Sequence, residues 1–330
     1  MAEVLPGIYQ LMLPVPSPSA SLRYVNAYLI NGDDGHLLID TGWNTAESFD
    51  SLQEQLAEIG IGIKDISQIV VTHIHPDHYG LVGKLKQLSR ANFYLYYLEK
   101  GLIESRYINM EELLKKTDDW LHSNGVPPDE LPGLHTASVR MTRFVTAAFP
   151  DITLHGGDTI TAGAFTFQVL WTPGHSPGHI SLYEPDKKVL ISGDHVLPSI
   201  TPHVGLHPQS GKNPLGDYLG SLRTLRQLDA KIILPGHEKP FTDLRGRIDE
   251  IIQHHEQRNL EILATIEAEP KTAYQTARGI FWRGKTGWQN LPPLHKRLAI
   301  MEILSHLEAM RLENKIDSFS HNSIIYHRQT

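Results

Sequence analysis

Cysteine is missing altogether from this 330-residue chain, long apolar runs are missing, and neither sign of charge dominates it. Without cysteine there is no disulfide, no thiol nucleophile and no Cys-type zinc site. No stretch approaches the roughly 20 consecutive apolar residues that a membrane-spanning helix needs, so no membrane role is expected. The opening segment, Met1–Pro16, has neither the basic start nor the long apolar core of a secretory signal, and a cytoplasmic protein is the expectation. Residues 1–240 hold 18 Lys and Arg against 26 Asp and Glu, while residues 241–330 hold 12 against 11. Neither part has the basic footprint of a nucleic-acid binder.

What is present is enough apolar material, 40% of residues, for a large core. The length exceeds one average domain and falls short of two. There are 19 histidines, and imidazole is both a proton carrier near neutral pH and the commonest metal ligand.

Up to residue 240 the chain reads as short apolar runs broken by Gly, Pro, Asn and Asp. Strands are expected at Ala27–Ile30, His36–Ile39, Ile69–Thr72, Asn92–Tyr97, Phe165–Leu170, Ile180–Tyr183, Val189–Ser192 and Lys231–Leu234, all rich in β-branched or other apolar residues. Hairpin turns fall at Asn31–Gly35 and Glu184–Lys187. Helical spacing marks Thr45–Ile59, Leu81–Ser89 and Asp217–Leu228. This mixture implies an α/β (α+β) layered fold with helices covering sheets. Residues 97–150 carry helix-period pieces and a Pro-rich break but no strand signal, as expected of a helical insertion serving as a lid or substrate wall. Residues 241–330 turn helical: a long amphipathic helix ended by Pro270, a short helix at Ala273–Phe281, another at His295–Leu312, and a tail, Ser318–Tyr326, able to form a β-wing. The expected division is therefore a domain over 1–240 and a winged-helix-like segment over 241–330.

The strongest chemical signal is Thr72-His73-Ile74-His75-Pro76-Asp77-His78-Tyr79-Gly80, directly after the apolar run Ile69-Val70-Val71. Three imidazoles and a carboxylate within six residues are the nitrogen and oxygen donors that zinc, iron or manganese accept. Pro76 is expected to interrupt any helix there. Three further loops carry donors, each after another apolar run and each flanked by Gly or Pro: Thr172-Pro173-Gly174-His175-Ser176-Pro177-Gly178-His179, Ser192-Gly193-Asp194-His195 and Pro235-Gly236-His237-Glu238. A lone histidine in such a loop is more often a turn residue. Shared placement at strand ends, which converge on one rim of a layered sheet, argues for a common site.

These motifs, with Leu38-Ile39-Asp40-Thr41-Gly42 before them, resemble the metallo-β-lactamase superfamily, in the family's order and across residues 1–240. The resemblance implies a four-layer αββα sandwich with its site at one edge of the two sheets. It implies that His73, His75 and His175 bind one metal, that Asp77, His78 and His237 bind a second, and that Asp194 bridges them. An acidic bridge is similar to the glyoxalase II side of the superfamily, whose members cleave thioesters, esters and related acyl bonds. Family lactonases tend to carry a tyrosine shortly after that Asp, where this chain has His195-Val196-Leu197. Stretches of the C-terminal region, His254–Arg258 and Lys271–Arg278 among them, resemble the subgroup typified by β-lactamase-like protein 2.

A metal-dependent hydrolase is thus expected, with two divalent ions, zinc first and iron or manganese as alternatives. They would ionise a water between them for attack on the acyl carbonyl of a small thioester, ester or lactone. Asp77 is expected to orient that water or take its proton. Asp40 and His179 are expected behind the ligands, and His195, His203 and His207 either line the pocket or decorate a Pro-rich loop. The alternative is a metal-dependent endoribonuclease acting on single-stranded RNA, which the subgroup includes; a non-catalytic metal-binding module is a third reading. Phe281–Trp288 mixes aromatic and basic residues in a way that can stack bases, but a loop with its tryptophans pinned on the hydrolase domain is the expectation. The C-terminal segment is expected to serve packing, pocket closure or self-association as a homodimer rather than nucleic-acid reading.

Overall fold

Most of the expected strands are apolar along their whole length, which requires cover on both faces. The computed structural model, which describes residues 1–16, 23–282 and 287–330, supplies it with two stacked sheets and an outer layer of helices on each. The first sheet runs in chain order through β1 (Ala2–Leu5), β2 (Ile8–Pro14), β3 (Tyr24–Ile30), β4 (His36–Ile39), β5 (Ile66–Val71), β6 (Asn92–Tyr96) and β7 (Ile152–Leu154). It is antiparallel from β1 to β4 and parallel from β4 to β7. The second comprises β8 (Thr159–Ala162), β9 (Phe165–Trp171), β10 (Ile180–Glu184), β11 (Val189–Gly193) and β12 (Ile232–Pro235), ordered β12-β11-β10-β9-β8, with only the β11–β12 pair parallel. All eight expected strands are present. Strands β1, β2, β7 and β8 were not anticipated.

Period-two alternation is plainest in β9, where Phe165, Phe167 and Val169 are buried and Thr166 and Gln168 exposed. Those three pack with Tyr28, Ile39 and Val70 of the first sheet and Leu182 and Ile191 of the second, forming the core between the sheets. Outside the first sheet lie α1 (Ala46–Ala57) and α3 (Val82–Ser89), which bury Phe49, Leu52 and Leu85 against Leu29 and Ile69. Outside the second lie α7 (Pro214–Leu225) and the first half of α8 (Leu244–Ile266), which bury Tyr218, Leu222 and Ile248 against Leu190 and Ile233. Four layers result. Side-chain caps start α1 and α7: Thr45 Oγ1 accepts from Ser48 N–H at 3.0 Å, and Asn213 Oδ1 accepts from Gly216 N–H at 3.0 Å.

One assumption about proline is corrected. Pro76 does not break a helix but starts one, a single turn α2 (Pro76–Tyr79), because its fixed φ and missing N–H suit the first helical position. Between β6 and β7 the regular structure of the insertion is all helical: α4 (Tyr97–Lys100), a π-helical turn (Glu104–Ile108), α5 (Glu111–Ser123) and α6 (Leu131–Thr142).

Beyond α8 come α9 (Ala273–Gly279), α10 (Pro293–Leu312) and the hairpin of β13 (Ile316–His321) and β14 (Ile324–Gln329). Leu121 of α5 and Leu134 of α6 share one core with Ile262 of α8, Ala277 of α9 and Ile300 and Ile303 of α10. The insertion and the C-terminal helices are therefore joined, and α8 spans from this core to that of the second sheet. Trp288 is buried in the same core, edge-on to Tyr274 at 5.6 Å, and Trp282 packs beside it. Their indoles fill the core that the insertion shares with the C-terminal helices, while Phe281 is 76% exposed. Arg283, Gly284, Lys285 and Thr286 of that loop lie outside the described residues. No helix among the described residues is long and apolar enough to cross a membrane.

Candidate metal centre

The loops after β4 and β5 of the first sheet meet those after β9, β11 and β12 of the second at one rim. Backbone hydrogen bonds stitch the rim: Ile180 N–H donates to Thr72 C=O at 3.0 Å, Gly236 N–H to Gly193 C=O at 2.8 Å, and Asn26 N–H to Gly236 C=O at 2.7 Å. This brings together all seven donors expected from the motifs, in two groups.

In the first group, His73 Nε2, His75 Nδ1 and His175 Nε2 lie 2.9, 2.9 and 3.2 Å from one another. Three nitrogens on a tetrahedral shell of about 2.0 Å radius are separated by about 3.3 Å, so the spacing suits one cation better than a set of hydrogen bonds. In the second, His237 Nε2 is 3.3 Å from Asp77 Oδ2 and 3.4 Å from Asp194 Oδ2, and His78 Nε2 is 3.4 Å from Asp194 Oδ1. Asp194 Oδ2 is also 3.8 Å from His175 Nε2, so this carboxylate stands between the groups.

Neighbours decide which nitrogen of each ring faces inward. Asp40 can only accept, so His78 Nδ1–H donates to it at 2.8 Å. His175 Nδ1–H donates to the His203 carbonyl at 2.8 Å, and His237 Nδ1–H to the Tyr24 carbonyl at 3.1 Å. Thr72 Oγ1 spends its proton on Asp40, at 3.0 Å, and therefore accepts from His73 Nδ1–H at 3.1 Å. Four Nε2 atoms are left aimed at the centre. Behind them, His179 Nε2 accepts the Asp194 backbone N–H at 3.2 Å while its Nδ1 contacts Thr72's counterpart Thr172 at 2.8 Å.

Electrostatics separate the two groups. Burial first, then neighbouring imidazoles, hold His73 and His75 well below the ordinary histidine range, leaving neutral rings with free lone pairs. Burial also lowers His78 and His237, but Asp194 and Asp77, joined at His78 by Asp40, more than offset it, holding His78 well above its ordinary value and His237 at about 10. A place that draws protons so strongly draws a divalent cation as well. Two further observations fit metal ions. His78 Nε2 and Asp194 Oδ1 are buried without a hydrogen-bond partner, and a Cβ on Gly236 would sit 2.3 Å from Asp194 Oδ1, so only glycine leaves the cradle open.

The remaining expected residues are placed as follows. Asp40, in the left-handed region at φ 61°, holds His78 and Thr72. His203 serves His175 through its carbonyl, while its ring Nε2 contacts the Leu298 carbonyl of α10 at 3.0 Å. His195 is fully buried between the rings of His179 (5.5 Å) and Tyr218 (4.6 Å). His207 and His203 both line a cavity of about 520 Å³ that opens onto Asp77, Asp194 and His237. Its walls come from the insertion, the loop after Asp194, and α10.

Sequence reasoning missed Glu99, Arg106 and Arg297. Glu99 is fully buried in α4; its Oε2 accepts Ile74 N–H at 2.9 Å and its Oε1 accepts Ser176 Oγ–H at 2.7 Å and Gly178 N–H at 2.8 Å. It ties the His73–His78 loop to the His175 loop. Arg106 and Arg297 line the cavity from the insertion and α10. No local motif marks any of the three.

Comparison with known proteins agrees with the fold. Residues 20–237 match the family model described as Metallo-beta-lactamase superfamily. The chain is 29% identical over 329 residues to the "Probable metallo-hydrolase YqjP" of Bacillus subtilis, a match covering 96% of each chain. It is 30% identical over 229 residues to the "Acyl-coenzyme A thioesterase MBLAC2" of Homo sapiens, covering 66% of this chain and 74% of that one. The crystal structure of metallo-beta-lactamase family protein TTHA1429 from Thermus thermophilus is similar with a TM-score of 0.83 and 30% identity, over 99% of this chain and 100% of that one. A layered αββα fold carrying a His/Asp metal-binding cluster at its rim defines a metal-dependent hydrolase. The chain belongs to the metallo-β-lactamase superfamily.

Proposed function

We propose that the protein is a binuclear metal-dependent hydrolase of small acyl substrates: thioesters, esters or lactones. In this reading His73, His75 and His175 hold one divalent ion, Asp77, His78 and His237 a second, and Asp194 both. Zinc is the favoured ion, with iron or manganese able to use the same donors. The observation that carries the reading is the Asp194 carboxylate standing between two groups of inward-facing donors. Bound divalent ions supply a water acidified toward neutral pH and a sink for oxyanion charge.

The chain's own residues do the rest. Asp77 borders the cavity, and its carboxylate is held down by His78 and His237 against the upward push of burial, so it is ionised and able to accept a proton from the attacking water. His179 fixes the Asp194 backbone, and Asp40 fixes His78, so neither has to reorganise during reaction. The largely apolar cavity walls exclude bulk water around the reacting carbonyl. The similarity to a relative named as an acyl-coenzyme A thioesterase supports an acyl bond as the target.

The test is turnover of a thioester and aryl-ester panel by metal-loaded protein. Expected is hydrolysis abolished by chelation and reduced about 10²-fold or more by Asp77→Ala. No turnover above that of Asp77→Ala overturns the reading, and metal-dependent cleavage of single-stranded RNA in its place favours the nuclease.

A further inference from the structure

The cavity has an unbalanced charge inventory. Its only acids, Asp77 and Asp194, belong to the metal-binding cluster, whereas its Arg106 and Arg297 make no ion pair among the described residues. Arg297 Nη1 is buried without a hydrogen-bond partner. Nearby Asp118, which His135 also engages at 2.7 Å, offsets only part of the effect of this burial, since Arg297 still lies below its ordinary value. The two guanidiniums come from separate elements, the π-helical turn and α10, yet Arg106 acts on Arg297 and both act on the ring of His207. Arg297 is lowered to about 10 by burial and then by Arg106, and His207 is held well below the ordinary histidine range by burial, Arg106 and Arg297 in turn. Against them stands an apolar wall that includes Met110, Leu114, Met141, Leu298 and Met301. An unpaired cation in such surroundings is costly, and two are costlier still. A ligand that brings the missing negative charge removes the cost.

We infer that Arg106 and Arg297 form an oxyanion subsite, so that the substrate is an acyl compound bearing a carboxylate or phosphate group at a distance from its reacting carbonyl. The anionic group lies between the guanidiniums, the apolar part along the methionine and leucine wall, and the carbonyl toward Asp77. Arg is suited to both groups because its planar fork makes paired hydrogen bonds to either. The inference rests on the hydrolase reading for the position of the carbonyl but not for the anion site itself.

Two measurements separate the one from the other. Calorimetric titration of the metal-loaded protein with adipate and with hexyl phosphate reads anion binding without turnover. Expected is binding of at least one, weakened about 10- to 100-fold by Arg297→Met and by Arg106→Met and weakened less by Arg297→Lys, which keeps the charge but loses the fork. The stronger of the two anions identifies carboxylate or phosphate as the natural group. The second measurement compares kcat/KM for para-nitrophenyl adipate, its phosphate-terminated analogue and the neutral methyl-capped ester. Expected is a preference of about tenfold or more for an anionic ester, expressed in KM and collapsing toward parity in Arg297→Met. Anion affinity that is undetectable, or unchanged in both methionine variants, overturns the inference. Anion binding with no ester turnover leaves the subsite standing and defeats the hydrolase reading.

Discussion

The carboxylate of Glu99 accepts the backbone N–H of Gly178 at 2.8 Å, although Glu99 lies in α4 beyond the first sheet's β6 and Gly178 in the loop after the second sheet's β9. With Ser176 on the same oxygen and Ile74 on the other, it is a fully engaged acceptor among three buried donors. Glutamine keeps the shape but turns one acceptor into a donor, so at least one buried N–H or O–H faces another. Glu99→Gln is expected to lower unfolding free energy by about 1–3 kcal/mol and metal affinity by about 10- to 100-fold. Denaturant titration and chelator competition give the two numbers; unchanged metal affinity would show that the loops hold their register without Glu99.

Asp40 poses the same question at the second group of donors. Its φ of 61° is a conformation that Asn tolerates, and an Asn carbonyl still accepts from His78 Nδ1 or Thr72. What Asp40→Asn removes is the negative charge that helps hold His78 well above its ordinary value. Metal affinity is expected to fall about 10- to 100-fold, and stability by about 1–3 kcal/mol, because the amide N–H₂ faces His78 Nδ1–H or Thr72 N–H. Competition against a chelator of known affinity, beside a thermal melt, checks both halves.

The metal-binding cluster was legible because its donors are crowded on short Gly- and Pro-flanked loops after apolar runs, a pattern that survives without any knowledge of packing. Glu99, Arg106 and Arg297 were not legible for the opposite reason. Each sits in an ordinary helical stretch, and its role comes only from what tertiary packing sets against it. The sharing of one core by Leu121, Leu134 and Ile303 is likewise invisible along the chain. Three of the missed strands, β1, β7 and β8, are short and at sheet edges, β7 being three residues long and β8 alternating Thr with Ile and Ala without an apolar run, whereas β2 is seven residues long and interior. Pro76 was misread because proline both ends helices and begins them, and only the preceding His75, extended at ψ 149°, tells which.

Acid stability is expected to depend on residues far from the metal-binding cluster. Burial lowers His327 to about 4 and, with His254 and Arg258, His255 to about 3, whereas both titrate near 6.5 when unfolded. The unfolded chain therefore binds more protons below about pH 6.5, and stability falls as pH drops from there toward 4, by up to about 1.4 kcal/mol per pH unit for each ring. Glu302 acts the other way. Burial raises it to about 7 against the pull of Arg258, so its contribution is full below the unfolded carboxyl value and is lost as pH rises through 7. Both ring nitrogens of His327 are buried without partners, so His327→Phe removes a titration and no hydrogen bond. Denaturant unfolding between pH 7 and pH 5 should show a shallower loss for His327→Phe and a steeper one for Glu302→Gln. Parallel slopes in all three proteins would refute the assignment.

Gly236 provides the sharpest test of the second group of donors. Its N–H donates to Gly193 C=O and its own C=O accepts from Asn26 N–H, so the backbone is held from both sides and cannot retreat. A Cβ there would lie 2.3 Å from Asp194 Oδ1 and 2.8 Å from His78 Cε1, well inside contact distance. The donors must therefore move, by an amount that changes coordination but not the surrounding sheets. Gly236→Ala is expected to cost about 1–3 kcal/mol of stability as an overpacked site, to lose one of two bound ions by elemental analysis, and to lower turnover about 10²-fold or more, since a misplacement near 1 Å is enough. Retention of both ions by a folded Gly236→Ala protein would mean that His78 and Asp194 do not share a cation at this point, and the pairing of ions across Asp194 would have to be abandoned.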